Sequence, residues 1–261
     1  MFERLSLSDD SLLAGYAESI QRVEFSLPWC KGQRVLDAGC GSGYGAHYLA
    51  ANGAAEVVAI DVSDDAIAEA KRQYARPNLR FETRDLEQLD ARSFDCPFNV
   101  VVNLETLPHL AAPDNFLAGA TAAMSADGVF ICSIPNGELV KTDEHGKPLY
   151  RYQHRTYSAD QFKAILAAHF GTINLFGHWL THEGMLRRRR AREVFDQLTE
   201  AYFNPMARIG RAIKRLAGKA SLPPPAYTGA ADSYRGDYAI APLAQGRFGW
   251  APTTLIAVCT K

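Results

Sequence analysis

Residues 35–45 read VLDAGCGSGYG, an apolar run closed by an acid, Asp37, and followed by glycines at every second position: Gly39, Gly41, Gly43 and Gly45. A glycine-rich turn after a strand lets a ligand lie close to the backbone, where a Cβ would obstruct it, and such turns usually hold a phosphate. Residues 41–46, GSGYGA, fit G-x-G-x-x-G/A, and Asp61 follows Gly41 by 20 residues, the spacing of a dinucleotide fingerprint. Asp37 argues against a diphosphate here. In a poorly solvated turn its carboxylate would repel one by roughly several kcal/mol.

A carboxylate at that place suits a cation. S-adenosyl-L-methionine carries an ammonium, a sulfonium and no phosphate. The glycines keep their mechanical role with such a ligand, and Asp61 keeps the ability to grip two ribose hydroxyls.

Elements that would position these residues follow along the chain. Residues 10–27 have mixed helical spacing and predict a leading helix. Strands are expected at Arg34–Asp37, Glu56–Asp61, Leu79–Thr83, Phe98–Asn103, Gly128–Ile134, Thr172–Phe176 and Thr253–Thr260. Helices alternate with them: one from Gly45, one capped by Ser63, one capped by Asp114 and running to Met124, and one opened by the Ser158/Gln161 capping box. That alternation predicts an α/β fold: a seven-stranded, mostly parallel Rossmann-like sheet with helices on both faces and an antiparallel last strand. Ligands of such sheets bind beyond the carboxyl ends of the strands, where Asp37, Asp61, Asp85, Asn103 and Asn136 all fall.

The ordered set VLDAGCGSGYG, VVAID, RDLEQL, NVVVNLETLPHL and DGVFICSIPN resembles the class I S-adenosylmethionine-dependent methyltransferases over roughly residues 30–180 plus the final strand. RVEFSLPWCKGQ and YQHRTYSADQFKAIL resemble a bacterial subgroup associated with sugar, glycan and natural-product methylation. The resemblance implies roles. Gly39, Cys40, Gly41 and Gly43 would line the methionine portion, with Asp37 near its ammonium. Asp61, with Val62 after it, would bind the ribose. Asp85 would face the adenine amino group beside the Leu86 backbone, and Asn103 and Leu104 would floor the site. In the subgroup's Glu-x-x-Glu-His pattern this chain has Glu105 to His109, with Pro108 in place of the second acid.

Methyl transfer from a sulfonium to a hydroxyl needs the acceptor aligned, water excluded and a proton removed. His109, His154 and Glu105 are the candidates for base, orientation or acceptor contact. Each has a plainer alternative: pocket shaping or helix capping for His109, a loop hydrogen bond for His154, a solvated acid for Glu105. Cys40 is expected to be a small buried residue. No acids or histidines cluster at metal-ligand spacing.

Between the sixth and seventh expected strands, Arg187 to Lys219 holds ten Lys or Arg and three acids, a local +7, which leaves −8 for the rest of a chain of net charge −1. In NPMARIGRAIKRLAGK, Met206, Ile209, Ile213 and Leu216 make one apolar stripe among basic residues. A cover helix with a solvated basic face and a contact to an anionic acceptor or membrane surface both fit; nucleic acid fits poorly, since no stacking aromatics interleave. The expected division is a methyltransferase core at 1–183, a helical and loop insertion at 184–251 serving as lid or as substrate or oligomer contact, and a last core strand at 252–261.

The chain's 261 residues suit one elaborated α/β domain, and 47% hydrophobic and 22% charged residues are ordinary for a globular protein. MFERLSLSDD has no basic start or apolar stretch of a secretory signal, and five cysteines show no C-x-x-C spacing, which together predict a cytoplasmic, reduced protein. Two other functions compete with methyl transfer: a nicotinamide-dependent oxidoreductase, which Asp37 opposes, and a non-catalytic cofactor-binding subunit that activates a partner.

Overall fold

The computed structural model describes residues 10–144, 148–149, 153–184, 236–245 and 251–261. The elements are α1 (Asp10–Cys30), β1 (Arg34–Ala38), α2 (Tyr44–Ala51), β2 (Glu56–Asp61), α3 (Asp64–Gln73), β3 (Leu79–Thr83), β4 (Phe98–Leu104), α4 (Pro113–Ala123), β5 (Met124–Pro135), α5 (Ala159–Ala167), β6 (Thr172–Leu180), β7 (Tyr238–Pro242) and β8 (Thr254–Thr260). Two compact units share the chain. One comprises Arg22–Trp179 and Ile240–Lys261, the other Met1–Gln21 and Leu180–Ala239. In the smaller, the Thr181 N–H donates to the Asp237 carbonyl at 2.7 Å and its hydroxyl to the Gly236 carbonyl at 2.8 Å. The basic segment 187–219, and with it most of the expected insertion, lies outside the described residues.

Strand order is β3-β2-β1-β4-β5-β8-β6-β7. From β1 the chain lays strands outward to β3, then returns to place β4 on the other side of β1. That reversal puts the topological switch point between β1 and β4, where ligands of open α/β sheets bind. β1 to β5 pair in parallel, and β8 runs antiparallel between β5 and β6. The sheet has eight strands where the sequence predicts seven. Tyr238–Pro242 is the extra one, a five-residue edge strand with only Tyr238 and Ala241 buried, too short and too mixed in pattern to announce itself.

Period-two alternation sorts the core onto the two faces. Leu36, Val58, Ile60, Val101, Phe130 and Cys132 pack under Phe116, Leu117 and Ala120 of α4 and Phe162 and Leu166 of α5. Val35, Val57, Ala59, Val100, Val102 and Ile131 pack under Val23 of α1, Ala46 and Leu49 of α2 and Ile67 and Ala70 of α3. Counting on by twos, Asp37, Asp61, Leu104 and Ser133 fall on this second face, at or within two residues of the carboxyl ends of their strands. Local chemistry agrees for α3 and α5. Ser63 Oγ accepts from the Ala66 N–H, a cap worth about 1 kcal/mol, and Ser158 and Gln161 close the predicted box. For α4 the expected cap is displaced. Ala112 is the N-cap, Pro113 the first helical residue, and Asp114 sits in the first turn, because proline's fixed φ is pre-set for that position.

The outer strand β3 carries alternating charge. Arg34 Nε lies 2.7 Å from Glu56 Oε2, Arg80 bridges Glu56 (3.5 Å) and Glu82 (2.7 Å), and Arg84 meets the second oxygen of Glu82 at 2.7 Å. The Arg34 guanidinium also lies 4.5 Å over the Phe98 ring and that of Arg84 4.6 Å over Phe94, while the two rings meet edge-on at 4.9 Å. This closed circuit fastens residues 84–98 to the sheet. Its worth lies in the joint arrangement, since single exposed ion pairs contribute about 0–1 kcal/mol.

Candidate active site

The glycine loop is built from left-handed residues. Gly39 (φ 89°), Gly41 (52°) and Gly43 (83°) all occupy a region in which a Cβ is strained. Their surroundings differ. A methyl on Gly39 would lie 2.4 Å from Thr106 Oγ1, and one on Gly43 would lie 2.7 Å from both Ala70 and Phe81. These two glycines are required by packing against the turn after β4 and against α3. A methyl on Gly41 would meet nothing within 4 Å. Gly41 therefore borders open space, a cradle that a side chain would fill.

Two acids flank it. Asp61 ends β2, and its Oδ2 accepts from the Gly41 N–H at 2.9 Å while Oδ1 accepts from the Ser63 N–H at 3.0 Å. It pins the loop and starts α3 at once. Asp37, in β1, is buried, and among the described residues its carboxylate accepts no hydrogen bond. Burial first, and the nearby Asp61 charge second, push its pKa up to about 7. A buried acid in that state is stabilised by whatever brings positive charge and N–H donors to it. An ammonium does both. S-adenosyl-L-methionine fits these acceptors and this space; a diphosphate would add charge of the same sign to two carboxylates. Cys40, between them, is buried, and its thiol is pushed far above the usual range by that burial and by Asp37 and Asp61, so it stays protonated.

Val62 follows Asp61 with its side chain 65% exposed, an apolar surface left uncovered beside the loop. Asp85 is exposed and caps a short turn, Leu86–Gln88, accepting from the Glu87 N–H (2.9 Å) and the Gln88 amide (2.8 Å), while Leu86 is buried beneath it. Asn103 is fully buried. Its amide donates to the Ala38 carbonyl at 2.7 Å and its Oδ1 accepts from Cys132 Sγ at 3.5 Å, so it fixes the ends of β1, β4 and β5 to one another. Leu104 is half-buried and packs against the core on the Asp37 face.

Past β4 the backbone makes an unusual turn. Glu105 has φ 58°, the one positive value among described non-glycine residues, at a cost of about 1–2 kcal/mol. Ser133 holds it there: the Glu105 N–H donates to the Ser133 carbonyl (2.9 Å) and reaches its Oγ (3.2 Å), and the Ser133 hydroxyl donates to Glu105 Oε1 at 2.7 Å. Arg22 Nε of α1 lies 3.8 Å from the same oxygen. His109 ends the turn Leu107–His109, and the His154 N–H donates to the Pro108 carbonyl at 3.0 Å, next to Arg155, which donates to the Ala111 carbonyl at 2.8 Å. The backbones bearing the two histidines, 45 positions apart, are thus neighbours; His109 is half-buried and His154 exposed.

Three contributors lie outside the sequence expectation: Thr106, Ser133 and Arg22. Ser133 left a trace, as a hydroxyl inside the apolar run GVFICSI, and Arg22 another, as a charge one step from the apolar Val23. Thr106 left none, because its effect is a contact with Gly39 across 67 residues.

Residues 30–184 match the family model described as a methyltransferase domain. Over 166 residues the chain is 30% identical to a Mycobacterium tuberculosis protein named "Probable S-adenosylmethionine-dependent methyltransferase", covering 63% of this chain and 58% of that one. It is 33% identical over 108 residues to a Maricaulis maris "Ubiquinone biosynthesis O-methyltransferase", 41% of this chain and 42% of the relative. The chain thus spans less than two thirds of the length of either. Among solved structures, an Archaeoglobus fulgidus S-adenosylmethionine-dependent methyltransferase superposes with a TM-score of 0.58 at 14% identity over 95% of this chain and 94% of its own. One from Mesorhizobium loti gives 0.55 at 21% identity, covering 70% of this chain and 94% of its own. At those identities the structural likeness speaks for the fold.

Proposed function

The chain belongs to the class I S-adenosylmethionine-dependent methyltransferases, and from that membership we propose that it methylates a hydroxyl on a small acceptor, namely a sugar, a glycan or a small natural product. The observation that carries the cofactor side is the partnerless buried carboxylate of Asp37 beside the open cradle at Gly41. Bound there, S-adenosyl-L-methionine supplies an electrophilic methyl on a sulfonium.

The chain's own residues do the rest. Asp37 accepts the ammonium. Asp61, already fixed by Gly41 and Ser63, receives the ribose hydroxyls on its remaining lone pairs. Asp85 and Leu86, with Val62, border the adenine, and Gly39, Cys40, Gly41, Gly43 and Leu104 line the methionine end, with Asn103 setting the strand ends beneath. His109 or His154 takes the acceptor's proton, a role within reach of an imidazole near neutral pH. Support for an oxygen acceptor comes from the backbone pairing of the two histidine segments at the open side of the site and from the Maricaulis maris relative, which is named as an O-methyltransferase.

Incubating the isolated chain with the cofactor and a panel of hydroxylated acceptors, and following S-adenosylhomocysteine, tests this. Turnover on a hydroxyl acceptor that is lost in a His109→Ala, His154→Ala double variant with cofactor binding intact is the expected result. Tight cofactor binding without turnover on any acceptor, restored by a partner protein, would instead make the chain a cofactor-binding subunit.

A further inference from the structure

The side-chain hydrogen bond and the ion pair of Glu105 meet at one of its two carboxylate oxygens. Ser133 donates to Oε1 at 2.7 Å, and Arg22 Nε lies 3.8 Å from that same atom. Among the described residues Oε2 accepts nothing. The anchors are rigid: Ser133 is fully buried in β5 and Arg22 is 7% exposed, while the Glu105 side chain keeps 31% of its surface open. The place is also defined. Leu104 pairs in register with Ser133, on the sheet face that carries Asp37, and Thr106, the next residue on, touches the glycine loop at Gly39. A partly open carboxylate, held at one oxygen and accepting no hydrogen bond at the other among the described residues, thus stands at the switch point, between the loop that receives the cofactor and the turn that carries His109.

The geometry points to Glu105 as a specificity-determining residue of the acceptor site. We propose that its Oε2 accepts a hydrogen bond from a second donor on the acceptor, a hydroxyl adjacent to the one that is methylated, and that Ser133 and Arg22 are positioning residues that hold the carboxylate for it. The acceptor class that follows is a vicinal diol, aromatic or saccharide. This rests on the hydroxyl-acceptor reading above. A clamp on one oxygen leaves the other fixed in direction, so it recognises a donor at one distance and angle. An acceptor without that donor leaves Oε2 desolvated and without a hydrogen bond, and sites built this way reject such analogues strongly.

The test pairs acceptors that differ by one hydroxyl: catechol against phenol, and methyl hexopyranosides against their mono-deoxy counterparts. The wild-type chain should prefer the diol of at least one pair by about 100-fold or more in kcat/KM. Glu105→Gln should cut that preference at least tenfold, and Ser133→Ala should raise the diol KM with little change in cofactor Kd. Glu105→Gly separates fold from function, because glycine accepts φ 58° without strain. It should keep the melting temperature and cofactor Kd while losing the preference. Equal use of diol and deoxy acceptor by the wild type, or an unchanged preference in Glu105→Gln and Glu105→Gly, overturns the proposal and leaves hydroxyl methylation standing. No turnover of any member by the wild type would fell the hydroxyl-acceptor reading itself and the proposal with it.

Discussion

Cofactor affinity should depend on pH through Asp37. In the free chain burial, and then Asp61, push this carboxyl's pKa up to about 7. A cationic ligand binds the ionised form, so at pH 6 about one molecule in ten is ready and at pH 5 about one in a hundred. The dissociation constant should therefore weaken about tenfold per pH unit below 7, about 1.4 kcal/mol each. Above pH ~8 it should weaken again as the ligand's own α-ammonium loses its proton. Titration calorimetry with S-adenosylhomocysteine between pH 5 and 9 measures this. Repeating it at pH 6 in buffers of different ionisation enthalpy should show nearly one proton released per ligand bound. Asp37→Asn should flatten the acid limb and weaken binding at pH 7.5 by about 1.5–3 kcal/mol, the range for a charge-assisted hydrogen bond. Stability supplies the mirror image. A carboxyl whose folded pKa lies above its unfolded value binds more protons when folded, so the free chain should lose stability as pH rises from about 4 to about 7. Urea titrations should show that slope in the wild type and lose most of it in Asp37→Asn. A dissociation constant constant across pH 5.5–7.5, or one unaltered in Asp37→Asn, would refute the electrostatic reasoning about this turn.

Other perturbations separate binding from folding. Gly41→Ala should fold, at a cost of about 1 kcal/mol from its left-handed φ, and lose cofactor affinity, because the added methyl enters open space. Gly39→Ala should instead lower the melting temperature, since its methyl meets Thr106 at 2.4 Å; equal melting curves for the two would contradict the contrast. Asp61→Ala should raise the cofactor Kd at least tenfold, about 1.5–3 kcal/mol, and speed amide exchange at Gly41, whose N–H it holds. In the basic segment, neutralising Arg211, Lys214 and Arg215 together should weaken salt-dependent binding to anionic vesicles in a flotation assay; unaltered or absent binding would remove the membrane reading of 187–219.

Local, repeated signals in the sequence translated well into structure. Alternation of apolar runs with capped helices yields a parallel sheet, and the loop VLDAGCGSGYG folds at its switch point with Asp61 bonded to Gly41, because both depend on neighbours in sequence. Asp37 was legible as a charge out of keeping with a phosphate. What distance builds was harder to see. That Gly39 answers to Thr106, that Ser133 holds Glu105 in a left-handed turn, and that His154 lies against Pro108 all depend on strand order, which periodicity does not encode. β7 was missed for a related reason: an edge strand is specified by the neighbour it pairs with more than by its own five residues.

The alternating charges on β3 bear on how the protein behaves when concentrated. β3 is an outermost strand, with unpaired backbone groups along its free side. Arg80 and Glu82, held in the circuit with Arg34, Glu56 and Arg84, place opposite charges two positions apart on one face of this strand. A second molecule adding its own strand would bring its side chains against these charges and strip water from them. The flank is thus guarded against stacking into extended ribbons, at the cost of a few exposed ion pairs.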